Sequence, residues 1–370
     1  MAAARLIAAQ EEKPVTPESL DSGTSGALSL SAGGFAISGF GAAEYRYDFR
    51  TQANTFEGSA LAVSLFRPIG DRVSVFGQLT VAREAPSPFA SSEQDATETS
   101  TEIDNLQVRW AALPESGLDV TAGKFDSPLG LEKDDAPLKY LATDSFTFSF
   151  GRPVKFTGIQ LHEAFSAKLE AYAILSNGWD SNGDGNRAKT GALYAVWSPS
   201  LSVHAGLGVV QGAEKPGRTG DSRTTAIATV LVQQSDSWVY GEEFVWGHEP
   251  GSAPSGGAAE WYADMFFTHL RIGPHWGLTL RMEYFDDRDG SRTGAPQILR
   301  SATLSPQYRI GSGAFGFFRT LERTTLTLPE LVVRLDLRGD HSSRPVFAGR
   351  RTSEIRRDRL SAALQTVFLF

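Results

Sequence analysis

From residue 35 to its last residue the chain alternates apolar and polar side chains with a period of two. In 331–338, Leu331, Val333, Leu335 and Leu337 take one face, and Val332, Arg334, Asp336 and Arg338 the other. Residues 278–285 set Leu278, Leu280, Met282 and Tyr284 against Thr279, Arg281, Glu283 and Phe285. Side chains two apart on a strand share a face, so these runs predict strands wetted on one side only. Helical periodicity is scarce.

The pattern places strands near 35–49, 58–68, 73–84, 101–112, 118–125, 155–164, 167–176, 189–198, 201–211, 223–234, 237–247, 258–271, 276–286, 297–309, 327–339 and 357–370. Short turns such as 69–72, 114–117 and 272–275 alternate with long polar loops, of which 126–154 is the longest. Residues 311–326 fit poorly, and a hairpin hidden there would make the count eighteen instead of sixteen.

A soluble sandwich would bury one face and wet the other. Here the polar face is rich in ion-pairing residues, while Trp110, Trp197, Trp238 and Trp261 fall near strand ends, as aromatic girdles at two membrane interfaces require. The expected fold is an all-β, up-and-down antiparallel transmembrane barrel of about sixteen strands, with short periplasmic turns and long extracellular loops. Lipid offers the backbone no hydrogen-bond partner, so such a sheet has to close on itself.

Composition agrees with this. The 370 residues would suggest two soluble domains by length alone, but a barrel uses them as one unit, 35–370. No run approaches the ~20 apolar residues of a membrane helix. With no Cys, disulfide scaffolds and thiolate chemistry are excluded, and a net charge of −8 argues against nucleic acid. Residues 1–9 read either as a signal-peptide remnant or as an ordinary flexible terminus, and 10–34 as a flexible leader. No catalytic motif is present; His248-Glu249 and His341 are the only pieces that could be recruited, and nothing converges them. No enzyme activity and no cofactor are expected. Asp180, Asn182, Asp184 and Asn186 match the first half of an EF-hand calcium loop, but its twelfth position is Gly191 where a bidentate Glu is needed.

The chain stops at Leu-Gln-Thr-Val-Phe-Leu-Phe370. Phe368 and Phe370, after alternating apolar residues, look like the last-strand signal read by the bacterial outer-membrane assembly machinery. Residues 120–160 contain Gly-Lys-Phe, then Pro-Leu-Gly-Leu-Glu, Asp-Ala-Pro-Leu, Phe-Gly-Arg-Pro and Phe-Thr-Gly, and Asn177-Gly178-Trp179-Asp180 comes after the next hairpin. This order resembles the OmpL-like β-barrel porins (β-barrel porin-2). The resemblance implies an outer-membrane porin of a Gram-negative-type bacterium, passing small hydrophilic solutes passively through the bilayer. Phosphate-selective porins share a similar passage, so a phosphate- or oligophosphate-selective channel stays as an alternative, as does a structural barrel. Sixteen-stranded porins are often trimeric, which makes a homotrimer an open expectation.

Function would then depend on what lines and narrows the lumen. Parity points Glu44, Arg46, Asp48, Arg109, Lys168, Glu170, Arg281, Glu283, Arg334, Asp336 and Arg338 inward. Six are basic and five acidic, which gives no strong ion preference. The 126–154 loop carries Leu138, Tyr140, Leu141, Phe146 and Phe148, too apolar for a solvated tip. Folding inward would hide them and bring Lys133, Asp134, Asp135 and Lys139 to a constriction. Lys124 has the parity of lipid-facing Val120 and Ala122, so a bulge or a rim position is expected there.

Overall fold

The computed structural model describes residues 31–32, 34–56, 59–83, 89, 99–311, 313–317, 324–328, 331–351 and 354–370. The signal remnant at 1–9 and nearly all of the 10–34 leader lie outside the described residues.

Sixteen long strands form one closed antiparallel sheet. They are β1 (Phe35–Asp48), β2 (Ser59–Ile69), β3 (Val73–Arg83), β4 (Thr99–Leu113), β5 (Leu118–Asp126), β6 (Lys155–Ser166), β7 (Leu169–Ser176), β8 (Thr190–Ser200), β9 (Val203–Ala213), β10 (Ser222–Ser235), β11 (Trp238–Glu249), β12 (Ala259–Ile272), β13 (Trp276–Asp287), β14 (Gln297–Ile310), β15 (Leu331–Ser342) and β16 (Asp358–Leu369). Two short pieces, Ser31–Ala32 and Asn54–Phe56, add to the edge of β1. Each strand pairs with its neighbours in sequence, as consecutive short connections dictate.

Residues 311–326 do hold a hairpin, Gly313–Phe317 against Thr324–Leu328, but its strands pair only with each other. The barrel count is therefore sixteen, and the hairpin is an enlarged turn at the short-turn end of the barrel.

Closure comes from β16 on β1, with Phe40 opposite Leu369 and Gly41 opposite Phe368. Gly39 and Phe370 exchange backbone hydrogen bonds at 2.8 and 3.0 Å. The Phe368 ring lies over Gly41 and the Phe370 ring over Gly39, in the space a Cβ would fill. Large rings thus cover the two bare positions of the seam.

Burial is reversed relative to a water-soluble fold. Leu61, Leu193, Leu207, Met282, Leu304 and Leu364 are exposed on the outside. Glu243, Thr279, Arg281, Thr303, Arg334 and Asp336 are buried inside. Trp110, Trp197 and Trp238 are outward and half-exposed at the short-turn end. Trp261 departs from the girdle expectation: it is 0 % exposed and points into the barrel. An aromatic near a strand end satisfies a girdle or an interior equally well, and parity (Trp261 with Ala263 and Met265) decides for the interior.

At Lys124 the ladder is irregular. The β3–β4 register shifts between Gln78 and Leu79, which leaves Asp104 as an extra residue. Lys124 donates to the Ile103 carbonyl at 3.0 Å and pairs with Glu102.

Candidate functional site

The loop between β5 and β6 runs through the lumen instead of over the rim. Its apolar residues explain why: Leu129, Leu141, Phe146 and Phe148 are buried, and Leu129 and Phe146 join Phe125, Phe156, Val245, Trp261 and Phe285 inside the barrel. Burying several such side chains favours the inward path by roughly 1.5–3 kcal/mol each.

Polar contacts fix the path. Glu243 of β11 accepts from the Leu131 backbone N–H at 2.6 Å and from Arg152 Nε at 2.5 Å. Gly130 has a φ of +83°, and the Arg152 guanidinium occupies the place of its missing Cβ. Arg281 donates to the Thr143 carbonyl at 2.6 Å and to Glu132 at 3.2 Å. Glu283 accepts from the Phe146 N–H at 2.5 Å. Asp336 accepts from Thr143 N–H and Oγ1 at 2.9 and 2.8 Å. Arg334 donates to the Leu141 and Ala136 carbonyls, and Arg338 to the Asp144 carbonyl at 2.6 Å. Across the lumen, Gln78 of β3 donates to Asp135 at 2.9 Å.

The inward-facing charges therefore fall into two groups. Arg281, Glu283, Arg334, Asp336 and Arg338 line the β13–β15 wall but are covered by the loop. Glu44, Arg46, Asp48, Arg109 and Glu170 lie on other strands. Glu44 pairs with Arg46, Asp48 with Arg359 at 2.9 Å, Arg109 with Asp119, and Glu170 with His162 at 3.0 Å. Lys168 is a correction: it sits exposed in the two-residue turn before β7 and faces no lumen. Strand β7 begins at Leu169, so the parity carried back from Glu170 does not reach Lys168.

Of the four loop residues singled out, Lys133 donates to the Gly130 carbonyl at 3.2 Å, and Asp135 is buried against Gln78. Asp134 meets Lys155 at 3.0 Å, beside Asp104 at 2.8 Å and Asp126 at 2.9 Å. Lys139 pairs with Asp144 at 2.5 Å. Enclosure in the barrel would raise the Asp144 carboxyl, but Lys139, Arg281 and Arg46 hold it below the usual range. Enclosure would lower the Lys139 ammonium, and Asp144, Asp134 and Glu132 raise it instead. Sequence reasoning missed Glu132, Asp144, Arg152 and Glu243. Glu243 carried a signal in its inward parity on β11, and Glu132 and Arg152 in the family-like segments Pro-Leu-Gly-Leu-Glu and Phe-Gly-Arg-Pro; Asp144 carried none.

The calcium-like segment does not converge on a cation. Asp180 Oδ1 accepts the Val154 and Lys155 N–H groups, both at 2.7 Å. Asp184 is tied to Lys189, Asn186 donates to the Ala213 carbonyl, and Asn182 is exposed.

Residues 42–370 match the family model described as "Putative beta-barrel porin-2, OmpL-like". The chain belongs to this family. As a family member it is an outer-membrane porin, a channel for passive diffusion. No curated protein matches the sequence. The porin's fold is similar to that of OprB from Pseudomonas putida (TM-score 0.61, 11% identity, 91% of this chain and 94% of that one). It is also similar to an anion-selective porin from Comamonas acidovorans (0.56, 10% identity, 91% and 99%). A third similar structure is the trimer form of OmpT from Vibrio cholerae (0.55, 10% identity, 91% and 99%). The segments that carried the family resemblance are the ones that dock the loop: Pro128-Leu129-Gly130-Leu131-Glu132, Asp135-Ala136 and Arg152.

Proposed function

We propose that the 127–154 loop sets the constriction, and that small hydrophilic solutes pass between it and the β16–β1–β4 side of the barrel. One observation carries this reading: Asp144 on the loop and Arg46 on β1 are within electrostatic reach of each other, with side chains 41% and 26% exposed, so wet charges of both signs border the lumen. Glu44 and Lys139 flank them, so both charge signs border the passage. Mixed charge favours general diffusion over anion selection. A phosphate path would need free arginines, whereas Arg281, Arg334 and Arg338 are buried against the loop. The chain would act as a homotrimer, as the trimer form of V. cholerae OmpT suggests. Phe368 and Phe370 would serve as the assembly signal.

A second reading, a barrel held shut by its loop, draws on the number of wall charges spent in docking it. Planar-bilayer recording separates the two. Stepwise conductance with weak ion preference is expected, enlarged on Asp144→Ala. Folded protein without steps would favour the shut barrel, and block by millimolar phosphate would favour the anion-selective channel.

A further inference from the structure

Two carboxylates point towards lipid. In β11, Gly241, Glu243, Val245 and Gly247 are buried on the inner face, so Glu242, Phe244 and Trp246 face outward. In β12, Ala263, Met265 and Phe267 are inward, so Tyr262, Asp264 and Phe266 face outward. Glu242 and Asp264 stand well inside both ends of their strands, beside exposed Phe244 and Met282. Ionised groups on the lipid face of a barrel are costly. Among the described residues neither has an ion-pair partner, and Asp264 Oδ1 is buried with no hydrogen-bond donor.

A cation stands close by on the same face, out of reach. Asp264 is opposite Tyr284 of β13, and Tyr284 is opposite Arg300 of β14. The Arg300 guanidinium lies 5.8 Å from the Tyr284 ring centroid. Two strand spacings, ~10 Å, keep Asp264 and Arg300 apart within one chain. The outward face from β11 to β14 thus carries acid on one flank, an aromatic centre and a base on the other. In a cyclic assembly, one flank of such a face meets the opposite flank of the next copy.

We propose that copies of this porin pack around an axis beside β13, with Glu242 and Asp264 of one copy against Arg300 of the next. The contact removes the carboxylates from lipid and sets a cation against them. Phe244, Met282 and Leu304, all exposed in one copy, close around the charges. This rests on the homo-oligomer reading above and adds the face through which it forms.

The chain has no Cys, so paired cysteines report the contact directly. In an Asp264→Cys, Arg300→Cys double variant the two Cα atoms of one chain are too far apart to bridge, since disulfides need less than ~7 Å. Oxidation in outer membranes is expected to give covalent oligomers on denaturing gels, with neither single variant doing so, while native mass spectrometry of the wild type gives a multimer. A multimeric wild type without cross-links overturns this face and leaves the homo-oligomer reading standing. A wild type of one-copy mass overturns both. Should the double variant fail to fold, Glu242→Leu with Asp264→Leu decides: loss of the native multimer is expected, and a multimer of unchanged mass overturns the proposal.

Discussion

Arg152 and Glu243 meet at 2.5 Å with both side chains almost wholly removed from water, 91 residues apart in sequence. Removing one partner of such a pair strands the other charge and costs about 3–5 kcal/mol. Arg152→Met is therefore expected to unseat the loop without opening the barrel. Protease should then cut within 127–154 of folded protein, where the wild type resists. Gly130→Ala should have the same effect, because the new Cβ displaces the guanidinium. The double variant should be no worse than the worse single one, and full additivity would argue against a shared cause.

Lys155 holds Asp104, Asp126 and Asp134 within 3.0 Å. Lys155→Met leaves three carboxylates at the extracellular mouth with their common cation gone. The reversal potential in a salt gradient should move towards cation selectivity, most strongly at low salt, where screening is weakest. No movement would mean that ions do not pass this mouth.

The Lys139–Asp144 pair sets a pH window. Asp144 is depressed below 3.8, so its share of loop docking is complete above that value and is lost as pH falls through the lower folded-state value. Lys139 is raised above 10.5, so its share is complete below that value and is lost only as pH rises through the higher folded-state value. Single-channel conductance should be steady from about pH 5 to 9 as far as this pair is concerned, and rise in strong acid. Asp144→Asn should abolish the acid step.

At the seam, the two glycines differ in what surrounds them. The nearest atoms to a Cβ on Gly41 all belong to the Phe368 ring, which can swing into lipid, whereas on Gly39 the nearest is the Ala62 backbone carbonyl. Gly39→Ala should destabilise by about 1–3 kcal/mol in urea titrations from vesicles, and Gly41→Ala by less. Equal losses would mean that the rings are as fixed as the backbone.

The barrel was legible because each strand needs only parity, a local property. Boundaries such as 276–286 against Trp276–Asp287 moved by a residue. The inward path of the loop was legible in part, since Leu141 and Phe146 could not stay in water. Its moorings were not, because Thr143 and Asp336 lie 193 residues apart and nothing local links them. Lys168 was misplaced because parity says nothing about where a strand begins. The 311–326 stretch fits the alternation poorly, and pairing alone decides that its hairpin stays outside the barrel wall.

The loop precedes most of its moorings in the chain. Residues 127–154 are followed by Glu243, Arg281, Glu283, Arg334, Asp336 and Arg338, so apart from Gln78 the loop lacks its main moorings until the C-terminal half is in place. A barrel stalled after β10 has a loop but no seat for it. The seated loop is thus a property of the finished protein, and a sign that the wall behind it is complete.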